Sequence, residues 1–157
     1  MKPFIILASQ SPRRTMLLKR EGYDFETIPS HAEEHDATHH DVHDIVMENA
    51  RIKGREVVNR LNAEGRTFSG ETVLIAADTL VVMGEKVFGK PLDLVQAESF
   101  MNQLGGHEHQ VLTGVFLYRF SDKSERTFLG ETTVVLKVLS APEIAALFAR
   151  VNPLDKA

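Results

Sequence analysis

Phe4-Ile5-Ile6-Leu7-Ala8-Ser9-Gln10-Ser11-Pro12-Arg13-Arg14 runs a short apolar stretch into a hydroxyl-rich turn, and the turn opens onto Thr15-Met16-Leu17-Leu18-Lys19-Arg20-Glu21-Gly22. The pattern reads as strand, turn, helix. Ser11 stands at the N-cap, Pro12 at the first helical position where its missing N–H costs nothing, and Gly22 at the C′ position. Phe25 to Pro29 reads as a second short strand. Ser30 to Asp44 holds five of the seven histidines and almost no large apolar side chain, as expected of a solvated connection.

From Asp41 onward, Val42, Val46, Ala50, Val57 and Leu61 recur at helical spacing with Gly54 in the gap, which predicts a long amphipathic helix. Thr72 to Ala77 is a continuous apolar run, read as a buried strand that ends in Asp78. Leu80 to Met83 and Lys86 to Phe88 read as a hairpin over Gly84-Glu85, closed by Gly89-Lys90-Pro91. Asp93 with Gln96 starts a helix whose stripe is Leu94, Ala97, Met101 and Leu104, stopped by Gly105-Gly106. Two antiparallel strands follow, alternating through Val111 to Leu117 and Val134 to Val138. Ser140 and Glu143 bracket Pro142 as a capping box for a last helix with Ile144, Leu147, Phe148 and Val151 on one side. Strands interleaved with helices, plus a long antiparallel pair, predict an α/β fold: a mixed twisted sheet flanked by helices.

The 157 residues, 43% apolar and 25% charged, suit one domain spanning 1–157. No apolar run approaches the roughly 18 to 20 residues of a membrane span. Without cysteine the chain has no disulfide, thiolate nucleophile or Cys-ligated metal, and a cytoplasmic location is the expectation. A net charge of −4 provides no overall field for a nucleic-acid polymer, so any anion site must be local.

One local site is the strand-to-helix turn. Backbone N–H groups and the helix dipole at Ser9 to Arg14 can hold a phosphate, and a guanidinium pair at a helix N-terminus wants an anion partner. The plain alternative is a capped, solvated first turn. Asp78 puts one carboxylate at the end of an apolar strand, where open sheets place ligands; a turn-capping aspartate is the alternative. Lys53 lies along the apolar face of the long helix, and snorkelling to solvent is its plain reading. Lys90 on its constrained loop is weak by itself. His31, His35, His39 and His43 are spaced by four but lie in a polar stretch, and a solvated segment is preferred to a metal site.

Several blocks taken together resemble the Maf-like nucleoside triphosphate pyrophosphatases, also called septum-formation-inhibitor-like proteins. Leu7-Ala8-Ser9-Gln10-Ser11-Pro12-Arg13-Arg14 with Leu17-Leu18 is similar to the family's first motif, and Ala77-Asp78-Thr79 with Gly89-Lys90-Pro91 to its central one. Leu104-Gly105-Gly106, His109, Val111 and Thr113-Gly114-Val115 resemble the third. Glu34 and Lys53 fall where that family has its acidic and lysine site residues.

The resemblance implies a Maf/ITPase-like fold and a hydrolase that splits a nucleoside triphosphate into monophosphate and pyrophosphate. It implies Ser9, Arg13, Arg14, Lys53, Thr79 and Lys90 as substrate contacts, and Asp78 and Glu34 as catalytic carboxylates that also hold Mg²⁺ or Mn²⁺. Arg13 and Thr79 go with dTTP and UTP in that family. The alternative is a nucleotide-binding regulator of septum formation without turnover. Two departures stand out: Gly54 replaces the family's commoner alanine, and the family's pattern continues past Asn152 to Ala157 into a glutamine-containing loop. The expectation is therefore a domain truncated at its C-terminus that self-associates as a homodimer.

Overall fold

The computed structural model describes residues 2–35, 41–68 and 71–155. The chain divides into two compact units, Met1–Asp78 with Thr113–Gly130, and Thr79–Leu112 with Glu131–Ala157. The first carries β1 (Phe4–Leu7), α1 (Pro12–Arg20), β2 (Phe25–Thr27) and α2 (Val42–Ala63). The second carries β4 (Lys86–Phe88), α3 (Leu94–Leu104), α4 (Ala141–Arg150) and a short 3₁₀ turn at Pro153–Asp155. Three strands, β3 (Thr72–Met83), β5 (Glu108–Arg119) and β6 (Glu125–Val135), have residues in both. Among the described residues the sheet runs β2-β1-β3-β5-β6, with β4 paired to β3. It is mixed, since β1 pairs in parallel with β2 and β3 while β3 and β4 are antiparallel. The α/β expectation holds.

In the first unit, α2 lays Ala50, Val57, Val58 and Leu61 against Ile6, Leu74, Ala76, Phe116 and Tyr118. Two glycines set how closely these layers approach. A methyl at Gly54 would overlap the Phe116 ring, and one at Gly114 would overlap the backbone carbonyl of Val46. The departure noted at Gly54 therefore has a packing cause: the aromatic ring takes the space an alanine would need. In the second unit a smaller cluster forms around Val81, Phe88 and Leu104, with Phe100 edge-on to Phe88 at 5.2 Å between centroids.

The helix starts follow their local signals. Asp41 Oδ1 accepts from His43 N, and Asp93 Oδ1 accepts from Gln96 N while Gln96 Oε1 accepts from Leu92 N. Glu143 accepts from the backbone N–H and hydroxyl of Ser140. Gly22 takes a positive φ of 66° just after α1, the left-handed geometry expected at C′.

Five readings need correction. The strand read at Val134 to Val138 lies earlier, at Glu125–Val135. The strand expected to stop at Asp78 continues to Met83, because β3 pairs with β1 through Thr72 to Ile75 and then with β4 through Val81 to Met83. Asp78 thus lies between two ladders rather than at a strand end. Ser11 occupies the N-cap of α1 but its side chain makes no capping bond. Leu94 is exposed, leaving Ala97 and Leu104 as the buried residues of α3. In the last helix only Ile144 is buried, and Val151, one residue beyond the helix, is exposed.

Candidate active site

The turn after β1 places Ser9 first. Its hydroxyl, almost closed to water, accepts from Ser11 N at 3.2 Å and from Arg14 Nη1 at 2.9 Å. The serine before the helix, not the N-cap serine, therefore organises the turn. Arg14 is half-buried and Arg13 exposed. Burial pulls the Arg14 guanidinium below its ordinary range, Asp78 pulls it back up, Arg13 pushes it down and Glu34 lifts it. A cation so poorly hydrated, beside a serine hydroxyl, gains most from an anionic ligand.

Asp78 is the buried carboxylate of the site, 7% exposed. Its Oδ1 accepts from Lys53 Nζ at 2.9 Å and its Oδ2 from Asn49 Nδ2 at 3.1 Å. Lys53 also meets Glu34 Oε1 at 2.7 Å, so one ammonium joins a buried and an exposed carboxylate. The lysine does not snorkel outward, because two carboxylates are within reach along the apolar face. The first unit thus brings together Ser9, Arg14, Lys53, Asp78 and Glu34 of the expected residues. Thr79 follows Asp78 in β3 and is half-buried; Lys90 is exposed on the loop after β4. Both belong to the second unit.

Asn49 is the site residue that sequence reasoning missed. It is 3% exposed on the inward face of α2, one turn before Lys53. An amide on an otherwise apolar helix face was the signal, since a buried polar side chain needs partners.

The histidines separate. His31 and His35 precede α2, His43 lies within it with Nδ1 2.7 Å from Asp41 Oδ1, and His39 falls outside the described residues. Among the described residues no group of three or more His, Asp or Glu could hold a metal ion. A cavity of about 620 Å³ opens beside the N-terminal half of α2, lined by His35, Asp41, Asp44, Ile45, Glu48 and Thr127 among others. Asp78 is not in its wall.

The family model for Maf-like protein matches residues 4–157. The chain belongs to the Maf family. Among its curated relatives, the dTTP/UTP pyrophosphatase of Carboxydothermus hydrogenoformans is 38% identical over 98% of this chain and 77% of its own length. That of Caldicellulosiruptor bescii is 36% identical over 98% of this chain and 75% of its own length. A human protein named probable bifunctional dTTP/UTP pyrophosphatase/methyltransferase is 34% identical over 98% of this chain but only 26% of itself, so a Maf segment also occurs inside a longer chain. Among solved structures, the Staphylococcus aureus Ham1 protein shares the fold at a TM-score of 0.52 and 16% identity, covering 86% of this chain and 72% of that one. No described helix of this Maf-family chain is long and apolar enough to cross a membrane.

Proposed function

We propose that this Maf-family chain is a nucleoside triphosphate pyrophosphatase acting on dTTP and UTP. The observation that carries the reading is the buried Asp78 carboxylate joined through Lys53 to Glu34, in the unit that also holds the Ser9–Arg14 pair. The names of the curated relatives support the same activity. Water attacks a phosphorus of the α–β bridge, the bridging P–O bond breaks, and pyrophosphate and the monophosphate separate. Asp78 accepts the proton of the attacking water, and Arg14 and Lys53 oppose the polyphosphate charge. Arg13, Thr79 and Lys90 are proposed as further substrate contacts on the strength of the family motifs alone.

A divalent cation fits the donor set. Asp78 and Glu34 offer hard carboxylate oxygens that converge on one ammonium, and Mg²⁺ or Mn²⁺ is commonly held by one or two carboxylates plus substrate phosphates. When bound, the ion supplies charge neutralisation at the phosphates. Glu34 and Asp78 would hold it.

We further propose a single functional domain, a cytoplasmic location and a two-fold homodimer. For the last, β6 is one of the two outer strands of the sheet among the described residues and is exposed along nearly its whole length, and exposed strand edges pair with other chains. Light scattering tests the dimer. The activity is tested by a nucleotide panel with Mg²⁺ and Mn²⁺, assayed for pyrophosphate against orthophosphate. Pyrophosphate from dTTP and UTP ahead of purine nucleotides is expected; orthophosphate as first product, or preference for 7-methyl-GTP, would overturn it.

A further inference from the structure

Asn49 uses both ends of its amide. Its Oδ1 accepts from the backbone N–H of His35 at 2.7 Å, and its Nδ2 donates to the backbone carbonyl of His35 at 3.2 Å and to Asp78 Oδ2 at 3.1 Å. The orientation is fixed by chemistry, since a flipped amide would set its oxygen against a carbonyl and a carboxylate. The side chain pairs with the His35 backbone much as a neighbouring strand would, and His35 follows Glu34 directly. We propose that Asn49 is a positioning residue that ties Asp78 to the segment carrying Glu34, so that the two carboxylates keep their spacing about Lys53. The proposal rests on the pyrophosphatase reading above.

A merely structural role makes a different prediction. If Asn49 only anchors the His35 backbone, Asn49→Asp keeps the acceptor for the His35 N–H but sets an oxygen against the His35 carbonyl, and should cost about as much as Asn49→Leu, which keeps neither group. If it positions Asp78, Asn49→Asp is the worse variant, because it replaces a donor with a second carboxylate facing the first. His35 is exposed and its bonds to Asn49 are part-buried, so both variants are expected to fold, which thermal unfolding checks.

The experiment measures kcat and KM for dTTP on the full chain, wild type and both variants, with thermal unfolding as a fold control. Expected is a kcat about tenfold lower for Asn49→Leu and on the order of a hundredfold lower for Asn49→Asp, the loss of a charged hydrogen bond and the added repulsion. KM should change less than kcat, because the bonds of Asn49 go to His35 and Asp78 and not to Ser9 or Arg14. Asn49→Asp matching or exceeding Asn49→Leu in kcat would overturn the proposal. A second measurement does not depend on turnover. In ¹H–¹⁵N spectra the Asn49 side-chain NH₂ pair, identified by its loss in Asn49→Leu, should shift in Asp78→Asn, and the His35 amide should shift in Asn49→Leu. Wild type that releases no pyrophosphate from any nucleotide sinks the functional reading alone, and the spectra still decide the tie: Asn49 signals unmoved by Asp78→Asn would refute it.

Discussion

Lys53 and Asp78 form an ion pair at 2.9 Å in which the side chains keep only 13% and 10% of their exposure. Neither charge has much water to fall back on, and beyond this pair Lys53 has the exposed Glu34 and Asp78 the neutral amide of Asn49. Removing one partner of such a pair is more damaging than removing both, since it strands a buried charge. Lys53→Met is expected to lower stability by about 3 kcal/mol, measured by denaturant unfolding. Lys53→Met combined with Asp78→Asn should recover a large part of that loss. A double variant as unstable as the sum of its singles would show that the pair does not set the cost.

The same carboxylate is expected to be indispensable to turnover. Asp78→Asn keeps volume and can still bond Lys53 poorly, but it can neither accept a proton nor offer a full charge to a cation. Loss of an acid–base group costs on the order of 10² to 10⁴ in rate. Thermal unfolding should still show a folded protein, and pyrophosphate release within a factor of a few of wild type would remove Asp78 from the chemistry.

The elements that were legible in the sequence are those whose determinants are local. The Asp93 and Gln96 pair and the Ser140 and Glu143 pair each announce a helix within four residues, and each pair is bonded at its helix start. The hairpin of Leu80–Met83 with Lys86–Phe88 was legible, but that one strand runs unbroken through Asp78 and Thr79 into it was not, because a carboxylate after an apolar run reads locally as a strand end. The partners of Asn49 were not legible for a related reason. Its neighbours spell a helix face, while the groups it serves sit at His35 and Asp78, distant in sequence.

Stability should carry a small acid-sensitive contribution from Glu26. Its carboxylate lies 2.8 Å from Arg66, and the hydrogen bond from Arg66, together with its charge, holds the pKa below the ordinary 4.5 despite the opposing pull of desolvation. A lowered folded pKa means stability present above the unfolded value and lost as pH falls through the folded one. Both side chains are well exposed, so the pair is worth only about 0.2–1 kcal/mol and less at high salt. The stability difference between wild type and Glu26→Gln should be present at pH 7 and vanish well below pH 4.5. A difference that grew on acidification would contradict the assignment.

Gly54 is the position where helix propensity and packing disagree. Alanine favours a helix interior over glycine by about 1 kcal/mol, which alone would make Gly54→Ala stabilising. Against this, the added methyl falls on the Phe116 ring, and that ring is fully buried among α2, β1 and β3 side chains with no open side to yield toward. Overpacking of a tight core costs about 1–3 kcal/mol, and a rigid aromatic ring belongs at the upper end. Gly54→Ala is therefore expected to be destabilising by about 1–2 kcal/mol net of the propensity gain. Phe116→Leu opens space at the same point, so the two substitutions should be coupled: Gly54→Ala should cost less in the Phe116→Leu background than in wild type. Chemical denaturation of the four proteins gives the coupling directly. Gly54→Ala as stable as wild type, or an additive pair, would mean that the ring can shift and that glycine is not required for this approach.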